Sequence, residues 1–162
     1  MKKFKNKNRD SFLKLIPAAC IEHPDDLLTT RCKFNFGYMD FNQKAGQKFS
    51  DWSKEKLSEL LDKLHYFSKE PLDYWQTQII GKKSSKVLVK YDSFPIKSKF
   101  IHPKHVPIQA QWARFRINFG TRFVGFVIPD EYSKKSHDKT GVYFDCNTFY
   151  VVFLDENHDF CL

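Results

Sequence analysis

The stretch "WARFRINFGTRFVGFVI", residues 112–128, decides how this chain folds. Successive side chains on a strand point to opposite faces. Trp112, Arg114, Arg116 and Asn118 therefore share one face of the first half, and Ala113, Phe115, Ile117 and Phe119 share the other. The apolar set reads as core. Gly120 marks a turn into a second strand that opens with Arg122. The turn length sets where Arg122 points, because a one-residue slip moves every side chain to the opposite face. A three-residue loop of Phe119, Gly120 and Thr121 pairs Asn118 with Arg122 and puts Arg122 beside Arg114 and Arg116. A two-residue loop sends Arg122 into the core, where an uncompensated guanidinium is costly. The three-residue loop is the expectation.

Working outward, "SDWSKEKLSELLDKLHYFSKE" carries Leu57, Leu60, Leu61, Leu64 and Phe67 at helical spacing, which predicts an amphipathic helix. Ser50 or Asp51 is its expected cap. Pro71 ends it and opens a second short helix in "PLDYWQTQII". Upstream, "RCKFNFGYMDF" reads as a strand with Phe34, Phe36, Tyr38 and Asp40 on one face. Downstream of the helices, "VLVKY" reads as a strand and "VYF" and "FYVVFL" as the last ones, with loops at 82–111 and 129–144. The predicted order is strand, two helices, then an antiparallel sheet of three or more strands. That is an α+β fold with the helices on one face. Residues 1–30 form a basic extension and 31–162 a single domain.

The 162 residues suffice for one hydrophobic core. Aromatics make up 17% of the chain, and 17 residues are Phe. No apolar run reaches the ~20 residues of a membrane helix, and "FLKLIPAAC" after the basic start is interrupted by Lys14 and Pro17, unlike a signal peptide. A cytoplasmic protein with no membrane partner is expected. The net charge of +8 and pI near 9.3 point to a polyanionic partner such as nucleic acid, the ribosome or an acidic protein; an unspecific excess of solubilising lysine is the plainer alternative. Cys20, Cys32, Cys146 and Cys161 lack regular spacing and read as free thiols. Cys20 with His23, and His158 with Cys161, offer four zinc ligands on paper, but without zinc-ribbon turns no metal is expected.

The candidate site follows from charge and chemistry. Guanidinium groups hold phosphate through forked hydrogen bonds, and a neighbouring Trp112 can stack a base. Metal-free RNA cleavage needs cations around the phosphorane and proton carriers for the 2′- and 5′-oxygens. His158, at the end of "TFYVVFLDENHDF", suits proton transfer. Asp155, Glu156 and Asp159 beside it favour its charged, donating form, which makes it the expected acid. "HPKH" offers His102, Lys104 and His105 as a further base or cation. Each has a plainer reading: solvated arginines on a strand face, a solvated basic loop, and a surface histidine among acids.

The strand "WARFRINF", the turn, "RFVGFVIPD" and the closing "TFYVVFLDENHDF" together resemble the C-terminal half of the RelE/ParE toxin superfamily, YoeB-like members especially. In sequence the resemblance covers residues 112–160, and in order of elements 33–160. It implies a toxin of a toxin–antitoxin pair: a cofactor-free mRNA endoribonuclease acting at the ribosome and silenced by an acidic antitoxin. Carried over, Arg122 corresponds to the phosphate-binding arginine that opens the second strand, Arg114 or Arg116 to the arginine before it, and His158 to the histidine closing the sheet. Asp159 departs from the aromatic residue often found after that histidine. ParE-like members act on DNA gyrase, so the same fold also suits a non-catalytic module binding nucleic acid or an acidic protein. A mobile-element protein of this fold with no retained activity is a third possibility.

Overall fold

The computed structural model describes residues 6–16, 21–22, 28–81, 85–118 and 120–161. Its elements are helix α1 (Lys7–Leu15), strand β1 (Lys33–Asn35), helices α2 (Lys54–Phe67) and α3 (Leu72–Thr77), strands β2 (Ile79–Ile80), β3 (Ser85–Lys86), β4 (Leu88–Lys90), β5 (Gln111–Arg116), β6 (Arg122–Val127) and β7 (Thr148–Asp155). Five strands form one mixed sheet in the order β1-β7-β6-β5-β4, and β2 and β3 form a small hairpin. All neighbours in the large sheet are antiparallel except β1, which runs parallel to β7.

One face of the sheet is covered by helices. Ser53, not Ser50 or Asp51, caps α2 by accepting from the Lys56 N–H; the Asp51 carboxylate caps the preceding single turn by accepting from the Lys48 N–H at 2.8 Å. Leu60 and Phe67 are buried, with Leu57 and Leu64 packed beside them. Leu61, expected in that stripe, is 64% exposed, because it lies about 100° around the helix from Leu60. Leu72 and Trp75 of α3 complete the cover. Phe115 sits among Phe67 at 4.9 Å, Phe149 at 5.0 Å and Phe34 at 5.3 Å between ring centroids. The Phe67 carbonyl accepts from both the Trp75 indole and the Cys32 thiol. Burial pushes that thiol up to about 12, so it stays protonated.

The opposite face is covered by chain without helical period. Phe100 and Val106 of the connection between β4 and β5, with Phe160 after β7, close over Trp112, Val124, Phe126, Val152 and Phe153. Trp112 stacks on Phe153 and Phe153 on Phe100. The expectation of a single core face is thereby corrected: Trp112 on the second face of β5 is buried, and Arg114 and Arg116 are partly buried. β6 shows why, since every one of its residues is buried. Its register on β7 shifts between Val124 and Gly125. A Cβ at Gly125 would lie 2.0 Å from the Tyr150 carbonyl oxygen, so only glycine admits that approach.

Other expectations are also revised. The first strand stops at Asn35, whose side chain accepts from the Gly37 N–H. The chain then rounds the sheet edge: Phe36 packs on Phe49 and Phe123 of the helix side, and Tyr38 joins the second core. "VYF" contributes only an isolated bridge from Tyr143 to Ser136. The end of "PLDYWQTQII" leaves the helix to form β2. The basic extension holds α1, which buries none of its residues; Cys20 and His23 of the zinc possibility lie outside the described residues.

Candidate functional site

The β5–β6 turn builds the site. Arg116 pairs with Arg122, and the Ile117 N–H donates to the Thr121 carbonyl. The expected partner of Arg122 is Asn118; the true register differs by two residues. Two residues preserve the face, so Arg122 still projects with Arg114 and Arg116. Asn118 is spent on the turn instead. Its side-chain oxygen accepts from the Gly120 and Thr121 N–H groups, and its amide donates to Glu59 of α2 at 3.1 Å. Phe119 lies outside the described residues.

Arg122 is 1% exposed. Its Nη1 donates to the Asn118 and Thr121 carbonyls at 2.8 and 2.9 Å, and its Nη2 meets Nε2 of His158. Arg116 Nε donates to the Asn118 carbonyl at 3.2 Å. Arg114 Nε donates to the Tyr91 hydroxyl at 2.8 Å, while its Nη1 is buried without a hydrogen-bond partner among the described residues. Burial, then repulsion from Arg114 and Arg116, lowers the Arg122 guanidinium to about 10, against a weaker upward pull from Asp155. It remains a cation at neutral pH. Three like charges thus gather here, with Asp155 as a counter-charge to Arg122.

His158 owes its place to Asp155. That buried carboxylate, opposite Arg122 on β7, accepts from the N–H groups of Asn157, Asp159 and Phe160. The turn it ties holds His158 at φ 63°, the one described non-glycine residue with positive φ. This left-handed conformation is uncommon for a side-chain-bearing residue. Phe160 then plugs the second core. The acids expected to charge His158 have other engagements: Glu156 pairs with Lys56 and Asp159 with Lys99. A guanidinium carries only donors, so the acceptor in this contact would be Nε2 of His158 in the tautomer protonated on Nδ1.

Of the sequence candidates, Arg114, Arg116, Arg122 and His158 come to one end of one sheet face. Trp112 does not serve as a base platform, being 2% exposed inside the second core. His102 packs edge-on to Trp112 and its Nδ1 meets the Pro103 carbonyl. His105 stacks on Tyr38 and its Nε2 meets the Tyr38 carbonyl; Lys104 is exposed. These three belong to the loop over the second core. Sequence reading misses Tyr91 and Asp155 as site builders. Tyr91 ends a strand beside Arg114, and its hydroxyl is held protonated by burial. Arg116 borders a cavity of about 190 Å³ with Glu59 and Lys63, and Tyr91 borders one of about 370 Å³ with Lys97 and Cys161. No described helix is long and apolar enough to cross a membrane. Comparison of the chain with protein-family models, with curated proteins and with solved structures returned no match.

Proposed function

We propose that the protein is a metal-independent endoribonuclease of the RelE-like toxin type, acting on mRNA at the ribosome and held inactive by an acidic antitoxin. The observation that carries this reading is the contact of Arg122 with His158 inside a group of three same-face arginines. A phosphodiester brought against Arg114 and Arg116 relieves the repulsion these two share with Arg122. It also draws Nη2 of Arg122 away from His158, and Nε2 of the neutral ring then serves as a base.

In the resulting step, Nε2 takes the proton of the 2′-hydroxyl, and the 2′-oxygen attacks phosphorus. The guanidinium groups hold the phosphorane charge. The bond to the 5′-oxygen breaks, and that oxygen takes a proton from solvent. The products are a 2′,3′-cyclic phosphate and a 5′-hydroxyl. Burial of Arg122 and its bonds to two backbone carbonyls favour a second reading, a non-catalytic module in which Arg122 locks the turn and Arg114 and Arg116 bind an anion.

Inducible expression in a bacterium tests the proposal. The wild-type chain arrests growth and cleaves mRNA, while His158→Ala and Arg116→Ala do neither at equal soluble expression. Equal toxicity in all three rejects the site, and no toxicity in any favours the binding module.

A further inference from the structure

At the far end of the arginine-bearing sheet face lies a third cavity, about 420 Å³ in volume. Its floor is Phe126 of β6 and Tyr150 of β7, stacked at 4.8 Å with an interplanar angle of 6°. Tyr38 stands edge-on to both, at 5.0 and 5.6 Å. Tyr132 and Phe144, themselves packed edge to face, form another wall. Among the described residues no carboxylate lines this cavity, though Asp145 acts electrostatically on Tyr150, and Gln109 supplies an amide at its rim. Two of the ring walls are in contact with a basic group: the His105 ring stacks on Tyr38, and Lys135 lies over Tyr132 at 4.7 Å. An aromatic slot backed by basic groups matches a flat ring attached to an anion.

We infer that this cavity is a nucleobase-binding site, taking one base of a single-stranded nucleic acid whose phosphates run toward Lys104, His105 and Lys135. The inference rests on the nucleic-acid reading of the arginine site but not on cleavage there. From Arg122 to Phe126 is four residues along β6, about 13 Å. A strand of a few nucleotides can span that distance, and the loop between the strands offers the exposed Lys97 and Lys104 to its phosphates. Stacking on aromatic side chains tolerates any base, and the amide of Gln109 is positioned to add preference through a ring edge.

The test uses the full chain and a 5′-labelled pentanucleotide with 2′-O-methyl groups, which cannot be cleaved, followed by fluorescence anisotropy. Abasic residues are placed at each position in turn. One abasic position is expected to weaken binding about tenfold. Tyr132→Ala and Phe144→Ala, both on loop walls outside the two cores, weaken binding of the intact oligomer by a similar factor. They also abolish the difference between intact and abasic oligomers, whereas Tyr132→Phe restores it. Indifference to every abasic position, or pocket variants that bind like the wild type, overturns the inference, as does failure of the oligomer to bind at all. A proline-rich peptide that binds the slot in the oligomer's place also overturns it and assigns the cavity to a protein partner. Cleavage of unmodified RNA, measured separately at saturating RNA, reports on the arginine site. Cleavage without a base effect sinks the slot alone, and a base effect without cleavage sinks the nuclease alone.

Discussion

The two faces of the central sheet are sealed by different means. On one, α2 and α3 lay a periodic apolar stripe across Phe115, Phe123 and Phe149. On the other, a proline-bearing loop and the C-terminal Phe160 close over Trp112 and Phe153. The helix-covered face is built for stability, its side chains fixed by regular backbone. The loop-covered face is left incomplete at both ends, with arginines at one and an aromatic cavity at the other. A loop cannot satisfy its own backbone in a buried layer, so it covers only the middle of the sheet. The two candidate binding sites lie at opposite ends of this face, with Arg122 at one of them buried.

The largest expected effect comes from the helix side. Phe115→Ala should cost about 4 kcal/mol in urea unfolding, because the ring leaves a cavity against rigid neighbours. Phe100→Ala on the loop side should cost less, since the loop can settle into the space; an equal cost would erase the distinction between the faces. Next, Asp155→Asn should cost roughly 2 kcal/mol through the loss of charge-assisted bonds to the turn. It should also impair the site by releasing His158, and a variant with normal stability and activity would show that the turn holds itself. Smaller still, sulfate should raise the melting temperature by a few degrees in the wild type by binding the native arginine cluster. Arg116→Gln should blunt that rise, and identical responses would mean that sulfate acts elsewhere.

The smallest effect concerns the β1 edge. Burial raises the Asp145 carboxyl, but Lys33 at 2.7 Å and hydrogen bonds from Asn147 and Thr148 outweigh it and lower the group below its ordinary value. A depressed folded value means that this stability is present above the unfolded pKa and fades as pH falls through the folded one. The pair is half exposed, so it contributes under ~1 kcal/mol. Asp145→Asn should therefore flatten the acid limb of stability only slightly, which comparison of urea midpoints between acid and neutral pH would detect.

Much of this plan is legible in the sequence, and where it fails the reasons are physical. The α2 stripe and the β5–β6 hairpin announce themselves through period and turn chemistry. Alternation puts Arg122 on the correct face with the wrong partner, because a two-residue change in register leaves parity untouched. The burial of Trp112 is invisible, since nothing in the irregular run 92–110 signals that it folds back over the sheet. The surroundings of His158 are hidden because neighbouring acids in sequence point elsewhere in space: Asp155 to backbone amides, Asp159 to Lys99, Glu156 to Lys56. The aromatic cavity joins residues from 38 to 150, a juxtaposition that only the fold creates.

The most direct measurement is the cleavage of a short unmodified RNA by purified protein without added metal, with the product ends identified by mass spectrometry. A catalytic pairing of His158 with the three arginines predicts 2′,3′-cyclic phosphate ends and a rate that falls by about 10²-fold or more in His158→Asn, with folding unchanged by circular dichroism. Undiminished cleavage by His158→Asn, or a wild-type protein that binds RNA and leaves every bond intact with ribosomes present, would contradict it.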